Sequence, residues 1–151
     1  MKVSESSSEL SIIQKKIDST IEYLEKRNYS SLPVLALELV SYFEGDAPSG
    51  DAITLPMILN SKWLLLHEVI ELSELKKKGF TISSQLLFDH SKEVFSAHLT
   101  ATSWELALAS QDDDANWVQK RLEDIKSWLT DSSLPPDQVH ICKDFLANYS
   151  S

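Results

Sequence analysis

The residues best suited to chemistry are His67, Glu68 and Glu71, joined later in the chain by His98 and Glu105. On a 3.6-residue period His67 and Glu71 lie one turn apart on one face, and Glu68 stands beside Glu71 at a spacing of three. His98 and Glu105 are two turns apart on a later stripe that also carries Val94 and Ala101. A divalent cation takes neutral imidazole nitrogen and carboxylate oxygen, and two helices of a rigid bundle can hold both at a fixed separation. The pattern points to a metal site with His67, Glu71 and His98 as ligands, and with Glu68 or Glu105 as an outer group or general base. The ion would be zinc, manganese, iron or magnesium, and the reaction a metal-activated hydrolysis of a phosphate-containing small molecule.

The spacing is not that of a common signature. His67-Glu68-x-x-Glu71 has a carboxylate where the metalloprotease motif has its second histidine, and the chain contains no Glu-x-x-His of the carboxylate-bridged dimetal bundles. Glu68, Glu71, Asp89 and Glu93 resemble the acidic residues with which helical nucleotide pyrophosphohydrolases of the MazG type bind magnesium. The second pair departs from the Glu-x-x-Asp spacing of that family, so membership does not follow. His90 with Glu93 forms a further candidate pair. Glu38, the only charged residue between Asn28 and Glu44, must be paired, bound to a cation, protonated or turned outward. His140 and Cys142 are two apart and face different ways on a helix, so the expectation is a surface histidine and an inert core thiol.

These residues need helices to position them, and the sequence supplies helices throughout. Leu10, Ile13, Ile17, Ile21 and Leu24 recur at three or four over Ser8 to Arg27, behind a capping box of Ser6 and Glu9. Pro33 opens a segment from Val34 to Glu44 that is apolar almost all round and predicts a central helix. Gly45 to Asp51 reads as a loop. Thr54 caps, Pro56 suits a first turn, and Lys76-Lys77-Lys78-Gly79 closes, so Leu55 to Lys78 predicts one helix of about 36 Å at 1.5 Å per residue. A further helix runs from Ser83 or Ser84 to Gln111, long enough that a kink is expected. Asp112 to Asp114 open a helix striped by Val118, Leu122, Ile125 and Leu129, and Ser132 to Pro136 separate it from a last one. The expectation is all-α: a single domain over residues 8–151, an irregular bundle of five or six helices, with residues 1–7 a flexible N-terminus.

Composition limits the rest. The 151 residues carry 14 basic and 23 acidic side chains, a formal charge of −9, with 3 Gly and 5 Pro. A chain this long can bury one sufficient core without metals or disulfides. The acidic balance argues against nucleic-acid or anionic-lipid partners, and three scattered glycines exclude phosphate-binding glycine loops. A single cysteine, no apolar leader and no apolar run near the length of a bilayer span together predict a cytoplasmic protein. The competing functional reading is a non-enzymatic interaction module, presenting an apolar helix face to a protein partner or to a second copy as a homodimer.

Overall fold

The computed structural model describes residues 7–43, 54–132 and 134–149. Among the described residues are eight α-helices and no strand, six of the helices having seven residues or more. They are α1 (Ser7–Glu25), α2 (Ala36–Tyr42), α3 (Leu55–Leu59), α4 (Lys62–Lys77), α5 (Leu86–Asp89), α6 (Ser91–Gln111), α7 (Ala115–Trp128) and α8 (Val139–Tyr149). The expected all-α bundle is what forms. The capping pair at Ser6, the loop from Gly45 to Asp51 and all of the expected N-terminal tail except Ser7 lie outside the described residues; Ser7 already belongs to α1.

The middle of the bundle is the pair α4 and α6. Every residue of α4 from Trp63 to Ser73 is buried, and α6 buries Val94, Phe95, Leu99, Leu106 and Leu108. The two run antiparallel, since His67 meets Glu105, Glu71 meets His98, and Lys78 near the end of α4 reaches Ser96 near the start of α6. Helices α1, α2 and α3 pack on α4, while α7 and α8 pack on α6 and on each other.

Three expectations need correction. Helix α2 is not central: Leu35 and Leu37 are 53% and 57% exposed, and only its Leu39 face is deeply buried. Gln14 of α1 anchors it from one side, donating from Nε2 to the Val34 carbonyl at 2.9 Å and accepting from the Ala36 N–H at 2.8 Å. The single 36 Å helix is two helices. Asn60 Nδ2 donates to the Pro56 carbonyl at 2.9 Å, and Ser61 turns extended and caps α4 by accepting from Leu64 N–H. Short polar side chains that bind nearby backbone compete with helix continuation, and here two in succession win. The helix expected to reach Gln111 breaks fully at His90, whose backbone leaves the helical region and whose ring packs on Phe80. The stop at Gly79 behaves as expected: its φ of 91° lets Phe80 N–H reach the Leu75 carbonyl and Gly79 N–H the Lys76 carbonyl.

Candidate metal centre

Antiparallel packing of α4 on α6 sets His67, Glu68 and Glu71 opposite His98 and Glu105. His67, Glu71 and Glu105 are essentially inaccessible, His98 is 5% exposed and Glu68 is 7% exposed. Three donor atoms form a nearly equilateral triangle. His67 Nε2 is 3.1 Å from Glu71 Oε1 and 3.0 Å from His98 Nδ1, and His98 Nδ1 is 3.1 Å from Glu71 Oε1. This buried His/Glu/His group could hold a metal ion.

His67 and Glu71 are held from behind by hydrogen bonds, whereas His98 Nε2 is buried without a partner among the described residues and its ring is held by packing. His67 Nδ1 lies 2.9 Å from Glu105 Oε1, which fixes Nε2 as the nitrogen facing Glu71 and His98. Glu105 is itself held: Trp117 Nε1–H donates to its Oε2 at 2.6 Å, and the Arg121 guanidinium meets Oε2 at 2.7 Å and Oε1 at 3.2 Å. The Tyr42 hydroxyl donates to Glu71 Oε2, leaving Oε1 for the imidazoles. The His98 ring leans on Trp128 with centroids 4.6 Å apart. A carboxylate behind a ligating imidazole is the arrangement that fixes the ring and its tautomer in metal sites, raising its basicity. Glu68, like His98, has an unpartnered buried atom. Its Oε2 is 4.0 Å from His67 Nε2, and its Oε1 is buried without a hydrogen-bond partner among the described residues.

Electrostatics follow from the crowding. Glu68, Glu71 and Glu105 against Arg121 leave a formal charge of −2 indoors. Burial would push the His67 imidazole down, but hydrogen bonds to Glu105 and Glu71 and the nearby carboxylate charges outweigh it and raise the ring to about 10. Burial and the charge of Glu71 raise the Glu68 carboxyl to about 8. Glu71 is lowered to about 2, because its hydrogen bonds to both histidines overcome burial. Burial lowers His98, and burial with the adjacent carboxylates keeps the Tyr42 hydroxyl protonated. Protons on His67 and Glu68 thus balance the deficit.

The chain matches no protein-family model, no curated protein and no solved structure.

The structure brings His67, Glu71 and His98 together and places Glu68 and Glu105 against them. It leaves out Asp89, which is exposed, and His90 and Glu93, which sit at the surface-facing start of α6. The acidic set that resembles the MazG type therefore does not converge. Glu38 resolves as an ion pair with Lys76 Nζ at 2.8 Å, and its carboxylate also accepts from the Leu35 N–H. His140 is exposed and Cys142 buried, as expected. Sequence reasoning missed Arg121, Trp117 and Tyr42. Arg121 was within reach, since it falls between Val118 and Ile125 on the apolar stripe of α7, where a cation requires a buried anion. Tyr42 lies in the largely apolar segment from Val34 to Glu44, and nothing in its spacing marks the hydroxyl.

Proposed function

We propose that this protein carries a divalent transition-metal ion on His67 Nε2, His98 Nδ1 and Glu71 Oε1, with Glu105 orienting His67 and Glu68 serving as proton acceptor beside the ion. The observation that carries the reading is the buried triangle of donors 3.0–3.1 Å on a side, with His67 and Glu71 held from behind by Glu105 and Tyr42. Charge supports it: a divalent ion cancels the formal deficit of Glu68, Glu71 and Glu105 against Arg121. Such an ion would act as a Lewis acid and lower the pKa of bound water. Glu68, with a buried oxygen to spare, is the group placed to take the proton, which makes hydrolysis the reaction class. Glu105 has both oxygens engaged and is a positioning residue. Elemental analysis of protein purified without added metal tests the reading. The expected result is near-stoichiometric iron, manganese or zinc, removed by His67→Ala and kept in Glu38→Gln; protein with no metal that also takes up none from added salts sinks it.

One observation favours the second reading, an interaction module. Leu32, Leu35 and Leu37 are exposed around the start of α2. Light scattering would show a dimer that Leu37→Ser dissociates; a monomer would count against a homodimer.

A further inference from the structure

We propose that the groove between α1 and the junction of α3 with α4 is a binding site for a small phosphate monoester, held by Lys15, Lys16, Lys62 and the amino end of α4. The site lies outside the metal centre and does not rest on that reading.

The step between two helices makes the groove. Helix α3 ends at Leu59 and α4 starts at Lys62, and between this step and α1 lies a hollow of about 530 Å3. That is within the range of small-molecule pockets, about 300–1,000 Å3. Lys15, Lys16 and Ser19 line it from α1, Asn60, Ser61 and Lys62 from the junction, and Leu59 and Leu65 give it an apolar wall. A second hollow of about 170 Å3 adjoins it, sharing Ser19, Thr20 and Lys62 and adding Tyr23 and Leu66.

Charge sets the class of ligand. Three cations line one groove in a chain of 23 acidic and 14 basic side chains. Asp18 and Glu22, the acids that follow the two lysines on α1, are turned to other partners: Asp18 accepts from Gln14 Nε2 at 3.0 Å, and Glu22 pairs with Lys26 at 3.8 Å. Lys15 and Lys16 are exposed and make no ion pair among the described residues. Lys62 Nζ donates to Asp112 Oδ2 at 3.1 Å, which uses one of its three protons and leaves two.

The helix adds to the same sign. Ser61 accepts from Leu64 N–H, while the N–H groups of Lys62 and Trp63 have no acceptor among the described residues, and the first turn of α4 carries no acidic side chain. Such an end favours an anion. Three ammonium groups and a helix amino end match a dianion better than a single carboxylate, which points to phosphate. The apolar wall and the hollow beside Tyr23 give room for an organic body, which inorganic phosphate lacks. The formal charge of −9 over the rest of the surface opposes a polyanionic macromolecule, so the ester is a small one.

The test uses the full chain dialysed free of metal and follows backbone amide NMR shifts during titration with ribose 5-phosphate and with inorganic phosphate. Saturable shifts are expected at Ser61, Lys62 and Trp63, with a Kd of about 1 mM or below for ribose 5-phosphate and a weaker one for inorganic phosphate. Lys15→Ala with Lys16→Ala, at exposed positions where alanine suits the helix, is expected to weaken binding at least about tenfold. Lys143→Ala, an exposed site on α8, is expected to leave it unchanged. The inference is overturned by an absence of saturable shifts at the junction, by shifts centred instead on His67 and His98, or by a Kd indifferent to the lysine pair. An equal loss in Lys143→Ala would show unspecific attraction and overturn it too. Inorganic phosphate binding as tightly as the sugar ester, or tighter binding of a phosphoserine peptide or of phosphatidylserine vesicles, would overturn the ligand class.

Discussion

Glu71 and Glu74 stand one turn apart on α4, and each accepts a hydrogen bond from a tyrosine hydroxyl, Tyr42 for the first and Tyr29 for the second. Their remaining partners differ because their access to water differs. Glu74 is half-buried and is met by Lys77 Nζ at 3.2 Å, a charge that keeps its own hydration. Glu71 is sealed and is met by two imidazoles at 3.1 Å. At the rim a fixed cation answers the carboxylate and nothing further is needed. Indoors the answering groups are weak bases that bind protons and could hold a metal ion, where a lysine does not follow the carboxylate.

The contrast breaks first at Arg121. Among the charged residues of the interior it is the fixed cation, and Arg121→Ala strands Glu105 without its guanidinium; unpairing a buried ion pair costs about 3–5 kcal/mol. Urea denaturation of the metal-free protein should show that loss, whereas a loss under 1 kcal/mol would mean that Glu105 reaches water. Metal should come next. At a free ion concentration about a thousandfold above Kd, binding stabilises the fold by about 4 kcal/mol, read as a rise in Tm. Glu71→Gln should abolish that rise and Glu74→Gln should keep it, because only the first removes a donor of the triangle. If both variants respond alike, the sealed carboxylate of Glu71 holds no ion that depends on it.

The pH dependence sharpens the same point. His67, ordinarily near 6.5, is raised to about 10, so its contribution to stability is full below 6.5 and is lost as pH rises through 10. Glu68, ordinarily near 4.5, is raised to about 8, so its neutral form contributes below 4.5 and that contribution is lost as pH rises through 8. Both groups hold more protons folded than unfolded, and the Tm of the metal-free protein should fall from about pH 6 to pH 9. Glu71, lowered to about 2, acts the other way, and its contribution is lost only as the solution is acidified from about 4.5. A divalent ion on Nε2 of His67 must displace the proton held there, so its apparent affinity should rise about tenfold per pH unit between roughly pH 6.5 and 8, with about one proton released per ion. Titration in weak buffer with a pH indicator checks this, and release of no proton would sink the charge balance.

How much of this the sequence disclosed depends on the length scale of the cause. His67, Glu71 and His98 were legible because helical period alone aligns the first two, and an antiparallel neighbour brings the third. The all-helical class was legible from the same period. The breaks at Asn60-Ser61 and at His90 were not, since each depends on a side chain or ring finding a particular partner, the Pro56 carbonyl in one case and Phe80 in the other. The central place went to the wrong helix for a related reason. An apolar count favours the segment around α2, but α4 tolerates His67 and Glu71 in its buried face because Glu105, itself held by Arg121, satisfies the first and Tyr42 the second from other helices. No pattern local to α4 announces those partners.

The smallest effect lies at the exposed end of α4. Glu74 and Lys77 are three apart on α4, with side chains 21% and 36% exposed, and exposed pairs of this kind are worth about 0.2–1 kcal/mol. Lys77 also lies 4.4 Å from the Tyr29 ring, so Lys77→Ala removes a cation–π contact along with the ion pair. A double-mutant cycle with Glu74→Gln separates the two, and the coupling it returns should shrink as salt is raised from 0.01 to 1 M, where screening shortens to about 3 Å. Coupling across Arg121 and Glu105 should stay nearly constant over the same range, because no solvent ion comes between groups 2.7 Å apart and buried. Equal salt sensitivity in both cycles would show that water reaches the interior group as freely as the rim, and then a carboxylate there would have no more need of an ion than Glu74 has.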